Sequence, residues 1–150
     1  MRAVIQRVTR AWVSVDGEPV SAIGPGLCCL IGVEEGDGDG DIDYISRKIC
    51  GLRIFDDENG VMNRDVGEAA GEILLISQFT LLGDARKGRR PSYSSAGRPE
   101  DAQELFEKTV AEIASLHSGK VATGRYQTTM DVELVNHGPV TILLDSRKRF

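Results

Sequence analysis

The sequence predicts an α+β fold, mixed β-sheets with two packed helices, and three features lead to that expectation. Leu27–Val33 is a continuous apolar run too short for a typical helix, and Glu72–Leu81 carries a second such run, so both read as buried strands. Two segments repeat apolar residues at helical spacing: Ile42, Ile45, Ile49 and Leu52, then Leu105, Phe106, Val110, Ile113 and Leu116. Finally, Met130, Val132 and Leu134 alternate with Asp131 and Glu133, the period of a half-exposed strand. A chain of 150 residues can bury a sufficient core without staples, and one domain over residues 1–150 is expected.

Taken in order, Val4–Val8 and Ala11–Val15 are rich in β-branched residues, and Asp16-Gly17 supplies a left-handed hairpin turn before Pro19-Val20. Gly24-Pro25-Gly26 punctuates the chain ahead of the Leu27–Val33 strand. Asp41 is placed to cap the first helix, about three turns long. Arg53-Ile54-Phe55 reads as a short strand ending in the turn cluster Asp56–Gly60. The strand Glu72–Leu81 has a polar end, Ser77-Gln78-Phe79-Thr80, followed by a glycine-rich basic loop from Gly83 to Arg98. Pro99 suits a first helical turn, and Ser118-Gly119 stops the second helix. Val140–Leu144 is expected to pair with Met130–Leu134 through a turn at Asn136-His137-Gly138-Pro139.

Composition narrows the function classes. No apolar run approaches a membrane span, and the start Met1–Val8 returns to charge too soon for a signal peptide, so a cytoplasmic protein with no membrane partner is expected. Cys28, Cys29 and Cys50 read as small buried hydrophobes. The net charge of -5 opposes a polyanionic partner, but base gathers at Arg86-Lys87-Gly88-Arg89-Arg90 and at Arg147-Lys148-Arg149. Asp37, Asp39 and Asp41 mimic the opening of a calcium loop, yet Ile42 stands where its glycine belongs and Lys48 where its final glutamate belongs. His117 and His137 form no metal-binding cluster, and no GxSxG elbow, SxxK pair or Walker loop is present. No metal and no cofactor are expected.

Two segments decide the functional reading: Ser77-Gln78-Phe79-Thr80-Leu81 and Asn136-His137-Gly138-Pro139-Val140-Thr141. They resemble the signature motifs of the D-aminoacyl-tRNA deacylase family. Supporting matches run in family order through Ile5–Val8, Arg53–Phe55, Arg90–Ser94 and Gly124–Tyr126. One departure is His137, where family members often carry an acidic residue. The resemblance implies a homodimer with each active site at the interface, where a Gly-cisPro element, here Gly138-Pro139, enters the partner's pocket as a chiral gate. It also implies that Ser77, Gln78, Phe79 and Thr80 surround the terminal adenosine and the ester of an aminoacyl-tRNA, with backbone N–H groups holding the oxyanion. Glycine mischarged on tRNA-Ala should pass the same gate.

An aminoacyl ester is already activated, so a strong side-chain nucleophile is not required, and the resemblance, to a family without an essential side chain, implies assistance from the substrate's own 2′-hydroxyl. The rival, Thr80 as nucleophile, has no adjacent base in the motif. Arg86, Lys87, Arg89 and Arg90, with the tail Arg147–Arg149, are the candidates for phosphate contacts with tRNA; a DNA partner is not expected. Two alternatives remain distinct: an editing module for wrong L-amino acids, and a non-catalytic RNA-binding dimer.

Overall fold

Two long strands, β1 (Arg2–Val15) and β8 (Asp131–Asp145), lie side by side in a computed structural model that describes Met1–Phe150. Asp16 and Gly17 adopt φ of 51° and 79°, the left-handed pair that reverses β1 into β2 (Glu18–Ile23), as predicted. The first half of β1 pairs antiparallel with β3 (Gly26–Gly32), β3 pairs parallel with β6 (Glu72–Ser77), and β6 pairs parallel with β7 (Val121–Thr123). The sheet therefore runs β2-β1-β3-β6-β7, with β8 on β1. A separate pair joins β4 (Phe55–Asp56) to β5 (Met62–Arg64).

The two helices are α1 (Asp39–Gly51) and α2 (Pro99–Leu116). Ile42, Ile45 and Ile49 of α1 and Phe106 and Ile113 of α2 share one core with Ile5, Leu27, Cys29, Ile31, Ile73 and Leu75. On the sheet's other face Cys28, Leu74 and Ile76 pack with Val8, Ala11, Val13 and Ile23. Alternate residues of β3 and β6 thus enter two different cores, which is why both strands are apolar without a break. Burying each such Leu or Ile contributes about 1.5–3 kcal/mol. Burial also pushes the thiol of Cys28 up to about 11, so it packs as an inert hydrophobe. The mixed sheets and two helices give the expected α+β class, and no helix is long and apolar enough to cross a membrane.

Several local expectations are corrected. Gly38, not Asp41, is the N-cap of α1; Asp41 lies inside the first turn, where its Oδ2 accepts the Gly38 N–H at 2.9 Å. Leu116, the last residue of α2 and of the second apolar stripe, is 43% exposed. Of Arg53-Ile54-Phe55 only Phe55 lies in a strand, which continues to Asp56. β6 ends at Ser77, and Phe79–Leu82 forms a 3₁₀ turn.

The largest correction concerns the C-terminal strands. Val140–Leu144 does not fold back on Met130–Leu134; Asp131–Leu134 and Val140–Leu144 both belong to β8, and both halves pair with β1. Gln6 faces Thr141 and Val8 faces Asn136, so Arg7 alone opposes residues 137–140. His137, Gly138 and Pro139 are looped out as a bulge, where a proline without an N–H does not break the ladder.

Candidate functional site

Three parallel strands, β3, β6 and β7, end at one side of the sheet, and a cleft of about 560 Å³ opens just beyond their carboxyl ends. Val33 follows β3, Ser77, Gln78 and Phe79 close β6, and Tyr126–Met130 follow β7; Pro99 and Ala102 of α2 complete the wall. Chain ends that diverge where a parallel sheet stops leave a crevice that neither helix fills. The Gln78 N–H donates to the Ile31 carbonyl at 2.7 Å, the last bond before the chain leaves the sheet. Gly32 makes room for this departure, because a Cβ there would lie 2.9 Å from the Gln78 oxygen and 2.5 Å from Leu82 Cδ2.

In the turn that follows, Leu81 N–H bonds the Gln78 carbonyl at 3.2 Å, and the N–H groups of Phe79 and Thr80 precede that first bond. The Gln78 side-chain amide hydrogen-bonds the Thr80 hydroxyl. Ser77, Gln78 and Phe79 line the cleft, whereas Thr80 does not. The opposite wall was not legible as a site in the sequence: Tyr126 donates its hydroxyl to the Pro99 carbonyl at 2.8 Å, and Gln127 turns with φ of 54°. An aromatic residue two positions after Gly124 is the only local signal for it.

Gly138 and Pro139 are exposed, joined by a cis peptide bond, and absent from the lining of their own chain's cleft. Gly138 has φ of +123°, and a Cβ there would lie 2.9 Å from Arg7 Nη2, so only glycine fits. Arg7, 7% exposed, holds the bulge from below: Nε donates to the His137 carbonyl at 3.1 Å and Nη1 to the Ile54 carbonyl at 2.7 Å. His117 lies elsewhere, with Nε2 3.0 Å from the Gly71 carbonyl, so the two histidines do not meet.

A match to the D-Tyr-tRNA(Tyr) deacylase family covers residues 4–145 and spans both the β6 turn and the bulge. The chain belongs to that family. Proteins named D-aminoacyl-tRNA deacylase from Natranaerobius thermophilus and Symbiobacterium thermophilum are each 53% identical over 150 residues, covering 100% of this chain and 100% and 99% of theirs. A structure titled c-Myc DNA Unwinding Element Binding Protein superposes with a TM-score of 0.92 at 38% identity, covering 97% of this chain and 98% of its own. A structure described as a "probable eukaryotic D-amino acid tRNA deacylase" shares the fold, with a TM-score of 0.79 at 14% identity over 95% of this chain and 97% of its own.

For this member of the deacylase family, the two basic clusters differ in surroundings. Lys87, Arg89 and Arg90 are exposed and have no carboxylate partner. Arg86 is held by Asp84, whose Oδ2 lies 2.6 Å from Nη2. Hydrogen bonds from the Arg86 side chain and N–H keep the Asp84 carboxyl well below the usual range. In the tail, the two arginines are paired with carboxylates. Arg149 meets both oxygens of Glu34, at 2.8 and 2.5 Å, and Asp145 at 2.8 Å. Arg147 reaches Asp37 at 3.1 Å, and Lys148 approaches the Tyr44 ring. The hydrogen bond from Arg149 holds the Glu34 carboxyl low; for Asp145, burial pulls upward but the bonds from Arg149 and the Arg147 N–H outweigh it.

Proposed function

We propose that the chain hydrolyses the ester of D-aminoacyl-tRNA, releasing the free D-amino acid and tRNA, as a cytoplasmic homodimer that requires no metal or cofactor. The observation that carries this reading is the placement of Gly138-Pro139: an exposed, braced bulge that lies outside its own cleft and so is free to enter another. β8 also exposes Val135 and Leu143, 41% and 58% accessible, on either side of the bulge, an apolar surface suited to a second copy. Family membership supplies the substrate class.

In this reading the terminal adenosine enters the cleft, and the scissile carbonyl lies at the start of the 3₁₀ turn. The N–H groups of Phe79 and Thr80 take the oxyanion formed when water attacks; one such donor is worth roughly a hundred- to a thousandfold. The substrate's free 2′-hydroxyl positions the water, the carbonyl re-forms, and the tRNA 3′-oxygen leaves with a proton. Gly138 and Pro139 of the partner subunit face the α-carbon. An L-isomer drives its side chain into that backbone, whereas a D-isomer presents only hydrogen and amine, so exclusion is steric and indifferent to side-chain identity. Glycine on tRNA-Ala passes by the same logic.

Thr80 contributes its backbone N–H in this reading and not its hydroxyl, which is bonded to the Gln78 amide and has no neighbouring base. Loss of all turnover in Thr80→Ala with binding unchanged would overturn the substrate-assisted mechanism. The activity itself is tested by incubating D-tyrosyl-tRNA and L-tyrosyl-tRNA with the protein and a chelator. Release from the D ester alone is expected; inertness toward both favours an RNA-binding module, and release from the L ester favours a synthetase-type editor.

A further inference from the structure

Aromatic residues make up only 5% of the chain, yet two of them stand exposed against each other at the cleft's rim. Phe79 is 57% exposed and Tyr93 is 40% exposed; apart from Phe150, no other aromatic ring is among the exposed large apolar residues. Their centroids are 5.3 Å apart with planes at 68°, an edge-to-face pair. The pair is built rather than incidental. Tyr93 rests on Gly83, where a Cβ would sit 2.9 Å from Cε1, and Ser95 ties the segment to the Leu82 carbonyl at 3.1 Å.

Immediately beside the pair, Asp84 and Ser92 exchange backbone hydrogen bonds of 2.8 and 2.9 Å. They form the neck of the loop that carries Lys87, Arg89 and Arg90, the basic residues without carboxylate partners. An exposed aromatic surface flanked by uncompensated cations matches single-stranded nucleic acid, whose bases stack while its phosphates are neutralised. Phe79 also lines the cleft, so the platform is continuous with the site proposed for the terminal adenosine.

We propose that Phe79 and Tyr93 form a stacking platform for the unpaired nucleobase that precedes the terminal adenosine at the tRNA 3′ end, with the neighbouring loop contacting its phosphates. This rests on the reading of aminoacyl-tRNA as substrate. Tyr93 backs Phe79 and fixes its ring, so substituting either residue weakens the platform, and only substrates long enough to reach it are affected.

The test compares D-tyrosyl esters of full-length tRNA, of the trinucleotide CCA and of adenosine alone, with the wild type and with Tyr93→Leu and Tyr93→Phe. For Tyr93→Leu, kcat/KM on tRNA and on the trinucleotide should fall on the order of ten- to a hundredfold, mainly through KM, relative to its value on the adenosine ester. Tyr93→Phe keeps the ring and should keep the wild-type ratio. Because each ratio is measured on one preparation, it does not depend on how much of the variant is folded. An equal fall on all three substrates would overturn the platform, assigning the pair to the shape of the cleft. So would an unchanged ratio, or a shift of the variant to monomer in sedimentation, which would mean that a second copy covers the pair. If the wild type cleaved none of the three D esters, the substrate reading itself would fail.

Discussion

Arg86-Lys87-Gly88-Arg89-Arg90 and Arg147-Lys148-Arg149 are alike in composition and opposite in setting. The tail arginines meet carboxylates whose side chains are 7% and 0% exposed, Glu34 and Asp145, in a network that also holds Asp37 and the Met1 ammonium. In the loop, only Arg86 has an acidic partner, and the other cations face water. A cation beside buried carboxylates serves stability, because removing it strands a desolvated charge. A solvated cation is available to a phosphate. Composition cannot separate the two roles; the partner's burial does.

The largest expected effect lies in the tail. Arg149→Met should destabilise the fold by about 3 kcal/mol, since Glu34 and Asp145 lose their closest partner. Thermal unfolding should register this as a Tm lower by roughly 6–12 °C. A loss no larger than that of Lys148→Met, whose ammonium only approaches Tyr44, would dissolve the distinction.

Acid should act through the same residues. Glu34, Asp41 and Asp145 titrate below their ordinary values of 4.5, 3.8 and 3.8 in the folded state. The unfolded chain therefore binds protons first, so their stabilisation is complete above about pH 5 and is lost as pH falls through the folded values. Urea unfolding between pH 7 and pH 3 should show this decline, and Arg149→Met should flatten it.

In the loop the expected effects are on substrate rather than stability. Reversing Arg89 and Arg90 to Glu should raise KM for charged tRNA about tenfold at low salt and flatten its salt dependence, by roughly 0.7–0.9 in log slope for each phosphate no longer neutralised. Thermal stability should stay within about 0.5 kcal/mol of wild type. The smallest effect should come from Arg86→Ala, under about threefold in KM, because Asp84 already compensates that charge. Asp84→Ala should shift KM the other way by freeing Arg86. An Arg86 effect as large as that of Arg89 would show that the ion pair opens when RNA binds.

Much of the fold was legible because its signals are local. Asp16-Gly17 specifies a left-handed turn by residue type, the unbroken run at Leu27–Leu30 requires cover on both faces, and Pro99 with the Phe106 and Ile113 spacing sets α2. The motif residues Ser77–Thr80 and Gly138-Pro139 were likewise visible, and Ser77, Gln78 and Phe79 do line a cleft. The pairing of β8 was not. Alternation at 130–134 and the apolar run at 140–144 say that each segment is a strand, but the hairpin partner expected for them is displaced by β1, which offers a ladder along both halves. A fifteen-residue strand against β1 satisfies more backbone groups than a five-residue hairpin, and the 137–139 segment becomes a bulge instead of a turn.

The sequence by itself therefore determined both helices, the longer strands, their apolar faces and the family motifs the chain carries, because these depend on residue type and on spacing within one segment; the three-residue strands β5 and β7 carry too few residues to show a period and were not legible. Tertiary structure alone decided which strands are neighbours, that β3, β6 and β7 end together at a cleft, that Tyr126 forms its second wall, and which arginines remain free. Those outcomes turn on contacts between residues as far apart as Glu34 and Arg149, where desolvation and partner geometry, rather than local preference, set the free energy.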